Sequence, residues 1–219
     1  MKTALQRAAE ALARNGMFLG GPVEAFEPLG RHQLIILLEH GLMPDSRVLD
    51  VGCGCLRAGY WLIHFLQPDC YFGIEPNTSM LDAGKQTFLT QELLASKRPR
   101  FSANDDFDFS VFGAVFDFVL ARSIWTHAAP HQVQRMLDGF AATAASDAVF
   151  LASYQRAARL DEHYSGSAWI GRSHRSDTPG MVKYSFEWIE SECFKRHLQV
   201  SELLQKVQGQ TWLRITKPQ

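Results

Sequence analysis

Apolar positions along the chain fall into two patterns: short unbroken runs, and longer stretches with a helical period. Leu5, Ala8, Ala9 and Leu12 recur at helical spacing, and Asn15-Gly16 is a helix stop. Residues 17–27, with Gly20, Gly21 and Pro22, read as a loop. Pro28 suits the first turn of a second helix, whose body Leu34-Ile35-Ile36-Leu37-Leu38 is apolar nearly all round and which Gly41 ends. Val48, Leu49 and Val51 then form the short apolar run of a strand buried on both faces. After it the two patterns alternate. A helix is expected over 57–66, a strand over 70–74, a helix over 80–96 behind the capping residue Asn77, and a strand over 100–103. A fourth strand follows at Phe116–Ala121. Next come a helix opened by Pro130, with Val133, Met136, Leu137, Phe140, Ala141 and Ala144 on one face, and a fifth strand over 148–154. Residues 155–184 show no clear period. Ser185 then caps a helix over 186–197, and strands over 200–204 and 211–216 close the chain as a hairpin. Strands alternating with helices predict an α/β chain with a doubly wound parallel sheet.

The first strand runs into a glycine turn, Leu49-Asp50-Val51-Gly52-Cys53-Gly54. Glycine lacks a Cβ, so the chain can turn sharply there and bring backbone N–H groups against a ligand. The second strand ends on Glu75, followed by Pro76 and Asn77. Ligands of such sheets lie beyond the carboxyl ends of the strands, and a carboxylate there can accept both hydroxyls of a ribose. The nicotinamide fingerprint requires a third glycine two residues earlier than Gly59 stands. It also puts a pyrophosphate beside the turn, where Asp50 would repel it. A cofactor with a cationic amino-acid tail and no phosphate would instead be drawn to Asp50, which points to S-adenosylmethionine.

On these residues the chain closely resembles the class I S-adenosylmethionine-dependent methyltransferases, with Asp50-Val51-Gly52-Cys53-Gly54 matching their first motif. Cys55-Leu56-Arg57-Ala58-Gly59 is a less usual continuation, similar to a subgroup of small bacterial-type members. The resemblance implies a Rossmann-like seven-stranded sheet, mostly parallel, with an antiparallel last strand slotted into it. It makes Asp50, Gly52, Cys53, Gly54, Glu75, Pro76 and Asn77 cofactor-binding positions. Asp105, Asp106 and Phe107, past the third strand, would meet the adenine, with Asp105 preferred over Asp106 as acceptor from its amino group. Both acids equally suit the capping of a turn. Ala121, Arg122 and Ser123, past the fourth strand, would run along the methionine part. Segments ahead of the first motif cover the cofactor in the family. Gly30-Arg31-His32-Gln33 could belong there or to a packing helix.

Methyl transfer is an in-line displacement at a carbon that the cofactor activates, so the protein must position the nucleophile and take its proton. No metal is required. His127, just past the fourth strand, is the first candidate for the base, since an imidazole titrates near neutral pH. The competing role is a structural histidine that orders the turn. Tyr154, His163, His174 and Tyr184 are lesser candidates. No G-x-S-x-G motif surrounds Ser153. The aromatic content of 155–184, including Tyr164 and Trp169, is too high for a disordered linker and suggests a lid or substrate loop.

Composition narrows the reading. A chain of 219 residues fits one domain, divided here into a helical cap (1–43), a cofactor core (44–154), the lid (155–184) and a closing helix with hairpin (185–219). The formal net charge of −1 gives no general electrostatic grip on nucleic acid, and the N-P-P-Y-type motif of amino-directed base methyltransferases is absent after the fourth strand. The expected partner is a small-molecule acceptor. Cys53, Cys55, Cys70 and Cys193 lack metal-ligand spacing and read as reduced thiols of a cytoplasmic protein. No apolar run approaches the ~18 residues needed to span a bilayer. Lys2, Arg7 and Arg14 on an alanine-rich helix resemble a transit peptide, but Glu10 and the lack of a cleavage-like site argue against one. The expected activity is methyl transfer to an oxygen or nitrogen. The alternatives are a nicotinamide-dependent oxidoreductase and a non-catalytic S-adenosylmethionine-binding protein.

Overall fold

A computed structural model describes residues 2–171 and 179–218. His174, one of the lesser base candidates, lies outside them. The chain divides into two compact units, one ending at Ala103 and the other beginning at Asn104.

The first unit holds α1 (Ala4–Arg14), α2 (Phe26–Glu39), β1 (Val48–Val51), α3 (Gly59–Phe65), β2 (Tyr71–Ile74), α4 (Thr78–Phe88), α5 (Gln91–Lys97) and β3 (Arg100–Ser102). All four residues of β1 and of β2 are buried, as the unbroken apolar runs require. The two pair in parallel with Asp50 opposite Gly73, and β3 joins β2 in parallel. Thr3 caps α1 by accepting from the Gln6 amide. The apolar face of α1, Leu5 and Ala9, packs in a cluster with Phe26, Cys55, Met80 and Phe88. The helix expected over 80–96 is in fact two. Leu89 is extended, and Thr90 starts α5 by accepting from the Leu93 amide at 3.1 Å. A hydroxyl that satisfies a free amide there makes ending one helix and starting another cheap.

The second unit holds β4 (Phe116–Ala121), α6 (Pro130–Thr143), β5 (Ala144–Tyr154), α7 (Phe186–Phe194), β6 (Gln199–Val207) and β7 (Gln210–Thr216). Strand β5 begins earlier than expected and continues directly from α6, with an irregular register against β4 near Phe116. Between β6 and β7 the chain reverses in two residues, Gln208 and Gly209, with φ of 53° and 71°. Positive φ at both positions is the geometry whose twist matches a hairpin.

The seven strands form one sheet in the order β3-β2-β1-β4-β5-β7-β6. Strand β7 is antiparallel to both neighbours, β5 and β6, and so sits inside the sheet as the resemblance implied. Among the described residues no helix is long and apolar enough to cross a membrane.

Candidate functional site

In the first unit the site is built around the turn after β1. Gly52 and Gly54 both adopt positive φ, 71° and 54°. The Gly52 and Cys53 amides donate to the Ile74 carbonyl at 2.8 and 3.1 Å, which ties the turn to the end of β2. A Cβ on Gly54 would stand 3.3 Å from the Met80 sulfur, and one on Gly73 would stand 2.9 Å from the Cys53 sulfur. Cys53 is therefore a packing residue of the turn. Burial pushes its thiol pKa well up, with Asp50 and Glu75 adding to the effect.

Asp50 is buried in β1, and its Oδ2 accepts from the Tyr71 hydroxyl at 2.8 Å. Burial, with a smaller push from the Glu75 charge, raises its pKa to about 7 against the pull of that hydrogen bond. Among the described residues no cation contacts it. Glu75 is buried at the end of β2 and spans two elements. Its Oε2 accepts from the Gly54 amide at 2.9 Å and its Oε1 from the Asn77 amide at 2.8 Å. Burial raises its pKa too, opposed by these two amides. A carboxylate offers about four acceptor sites, so two bonds leave capacity for a ligand. Pro76 is half-buried, and Asn77 caps α4 through the Met80 amide.

Two residues of the segment 30–33 pack within this unit. Gly30 is pressed against the Arg57 carbonyl and Trp61, with a Cβ there only 2.8 Å from the indole nitrogen. Gln33 is buried and donates to the Leu29 carbonyl of its own helix at 3.1 Å. The unusual continuation of the motif gains a role. Arg57 Nη2 donates to the Leu19 carbonyl at 2.6 Å, and the Cys55 thiol points at the Phe18 carbonyl at 3.6 Å. Both tie the glycine turn to the segment after α1, and sequence spacing carried no sign of this.

In the second unit the loop after β3 folds on itself. Asn104 Oδ1 accepts from the Asp108 amide at 3.0 Å, and Asp108 in turn caps Ser110 at 2.9 Å. Phe107 is buried at φ 58°, a conformation that non-glycine residues adopt rarely. Asp106 is exposed and lies 3.8 Å from Arg135, whereas Asp105 is half-buried. Past β4, Ala121 is fully buried. The Arg122 side chain enters a polar network that its pattern did not announce. It donates to Ser123, to the Gln210 side chain and, at 3.3 Å, to Ser153, and it lies over the Trp212 ring at 5.7 Å. Ser123 has φ 60°, and its amide donates to Ser153 Oγ at 2.8 Å.

His127 Nδ1 lies 2.6 Å from the Ile170 carbonyl, and the Ile170 amide returns a bond to the His127 carbonyl at 2.9 Å. A carbonyl only accepts, so Nδ1 carries the proton. Burial lowers the His127 pKa, while the Ile170 and Gly180 carbonyls pull it up. Gly171, at φ 126°, makes room for the ring: a Cβ would stand 2.5 Å from Nδ1. Trp169 stacks on His127 at 5.7 Å between centroids and on Phe107 at 6.3 Å. The lesser base candidates have partners. Tyr154 donates to Glu202, Tyr184 donates to the Ala128 carbonyl at 2.6 Å, and His163 Nδ1 accepts from the Ser185 amide at 3.1 Å. Among the described residues no three His, Cys, Asp or Glu side chains gather as a metal ion would need.

No known protein-family model matches the chain. Its fold is similar to that of several solved structures. An S-adenosylmethionine-dependent methyltransferase from Clostridium acetobutylicum is 13% identical over 98% of both chains, with a TM-score of 0.64. Magnesium protoporphyrin IX methyltransferase from Synechocystis, with bound SAM, is 14% identical over 100% of this chain and 86% of its own, with a TM-score of 0.61. The glycopeptide N-methyltransferase MtfA, complexed with sinefungin, is 12% identical over 86% of this chain and 94% of its own, with a TM-score of 0.63. The sheet order, the slotted antiparallel strand and these likenesses agree: this chain has the fold of the class I S-adenosylmethionine-dependent methyltransferases.

Proposed function

We propose that this chain is an S-adenosylmethionine-dependent methyltransferase that transfers a methyl group to an oxygen or nitrogen of a small-molecule acceptor, without a metal. The observation that carries this reading is Asp50, a buried carboxyl beside the glycine turn with no cation contacting it among the described residues. An ammonium would pair with it, whereas a pyrophosphate would be repelled. The fold supports the reading, and so do the ligands named for two of its likenesses, SAM and sinefungin.

When bound, the cofactor supplies an activated methyl carbon and a thioether leaving group. Glu75 keeps acceptor capacity for the ribose hydroxyls, since its present bonds are to two backbone amides. Asp105 and the Phe107 backbone serve the adenine, and the backbone of Ala121, Arg122 and Ser123 the methionine part. His127 is the base. With the Nδ1 proton held by Ile170, the neutral ring has its lone pair on Nε2, and burial keeps it neutral at pH 7. Nε2 would take the acceptor's proton, the bound cofactor supplying the methyl carbon and the thioether leaving group. His127→Gln should cut the turnover of a deprotonating acceptor by about 10² to 10⁴-fold while leaving cofactor affinity unchanged. The four buried cysteines, none in a disulfide, support a reducing compartment such as the cytoplasm.

Thermal shift measurements test the cofactor. S-adenosylhomocysteine at ~100 times its dissociation constant should add ~2.7 kcal/mol of stability, and NADH none. Stabilisation by NADH alone would replace this reading with an oxidoreductase. Binding of S-adenosylhomocysteine without turnover of any acceptor would favour a non-catalytic sensor.

A further inference from the structure

Asp50 and Arg57 flank the same turn of the first unit with opposite deficits. Asp50 is a buried acid that no cation contacts among the described residues. Arg57 is a cation drawn inward. Its Nη2 donates to the Leu19 carbonyl at 2.6 Å, and its guanidinium lies 5.8 Å from the centre of the Phe26 ring. Two consecutive glycines cover it: a Cβ on Gly20 would stand 3.2 Å from Nη2, and one on Gly21 would stand 3.4 Å from it. Among the described residues no carboxylate lies within ion-pair distance of Arg57, and Leu19 is its one hydrogen-bond acceptor. A guanidinium has five N–H donors, so most of its hydrogen-bonding capacity is unused. Burial lowers its pKa to about 10, which leaves it charged at neutral pH. Arg57 is half-buried, so a charge partly withdrawn from water has no opposite charge beside it among the described residues, and it does not pair with Asp50.

We infer that the turn is a receptor for a zwitterion, in which Asp50 faces the α-ammonium of an amino-acid tail and Arg57 is the residue that binds its α-carboxylate. The inference rests on the cofactor proposed above, whose tail carries both charges on one carbon. It assigns Arg57 a role in choosing the cofactor: a ligand with a cation alone would leave the guanidinium unpaired. A planar fork of N–H donors matches a carboxylate in two-point contact. The glycine pair lets the covering segment pass close over that fork without a side chain in the carboxylate's place.

Calorimetric titration with two probes tests this: S-adenosylhomocysteine, and 5′-methylthioadenosine, which shares the nucleoside and thioether but has neither charge. Arg57→Met should lose at least tenfold in affinity for S-adenosylhomocysteine and less than twofold for 5′-methylthioadenosine, with Arg57→Lys between Met and wild type. Equal affinity of wild type and Arg57→Met for S-adenosylhomocysteine would overturn the assignment while leaving the cofactor reading intact. Wild type that binds neither probe would sink both. If Arg57→Met loses both probes alike, the covering segment has collapsed, and Gly20→Asp decides the matter. An aspartate there sets an internal carboxylate against Nη2 and should weaken only S-adenosylhomocysteine relative to Gly20→Asn. Equal binding by those two variants would again overturn the assignment.

Discussion

At the scale of single residues, the site is defined by groups whose chemistry is displaced by burial. Asp50 is the clearest. Its pKa is about 7 in the fold, against ~3.9 for a free aspartate. Between those values the folded chain holds a proton that the unfolded chain has lost. The stability it contributes is therefore present below pH ~4 and falls as pH rises to about 7, by at most ~1.4 kcal/mol per pH unit. Denaturant melts of the unliganded protein at pH 5 and pH 8 should show this loss, and Asp50→Asn should flatten it. Glu75 presents a different dependence, since both its oxygens already serve backbone amides. Glu75→Gln faces one of those amides with a donor. It should cost about 1–3 kcal/mol even without ligand, a loss visible in the same melts. Gly171 is constrained twice, by its φ of 126° and by the His127 ring 2.5 Å from where a Cβ would be. Gly171→Ala should therefore displace His127 from Ile170. Loss of the Ile170 carbonyl, which pulls the His127 pKa up, should move the imidazole titration further below the usual histidine range, a shift that NMR would report.

Among elements, one departure from expectation is instructive. A continuous helix over 80–96 is what the apolar spacing suggests, yet the chain breaks at Leu89-Thr90. The Thr90 hydroxyl caps the second of the two helices by accepting from the Leu93 amide. After the break, Lys97 donates to the His64 carbonyl at 3.1 Å, and Arg98, at φ 49°, ion-pairs with Asp69. Thr90→Ala removes the hydroxyl that starts α5 and should cost ~1 kcal/mol, a fall of ~2–4 °C in melting temperature for a chain of this size. At the other end of the chain, α7 begins where Ser185 was expected to cap it, with its hydroxyl accepting from the Trp188 amide at 3.3 Å.

For the molecule as a whole, ligand and proton binding should be linked. An ammonium beside Asp50 favours its ionised form, so binding between pH 5 and 7 expels the proton that the unliganded carboxyl holds. The affinity for S-adenosylhomocysteine should rise with pH up to about 7 and then level off. Calorimetry in buffers of different ionisation enthalpy should detect a fraction of a proton released near pH 6.5, and none in Asp50→Asn.

The order of strands and helices, the glycine turn with its acid, and the acid ending the second strand were all legible in the letters. Each is written locally, as an apolar run, a residue without a Cβ, or a carboxyl at a fixed offset. The slotting of β7 between β5 and β6 was implied by resemblance alone. The letters were mute on partners. That Arg122 turns into a network with Ser153 and Gln210, that Ile170 fixes the tautomer of His127, and that Arg57 reaches back to Leu19 all depend on residues distant along the chain. Hydrogen bonds and burial belong to pairs that only folding brings together, so tertiary structure decided what each charged group meets.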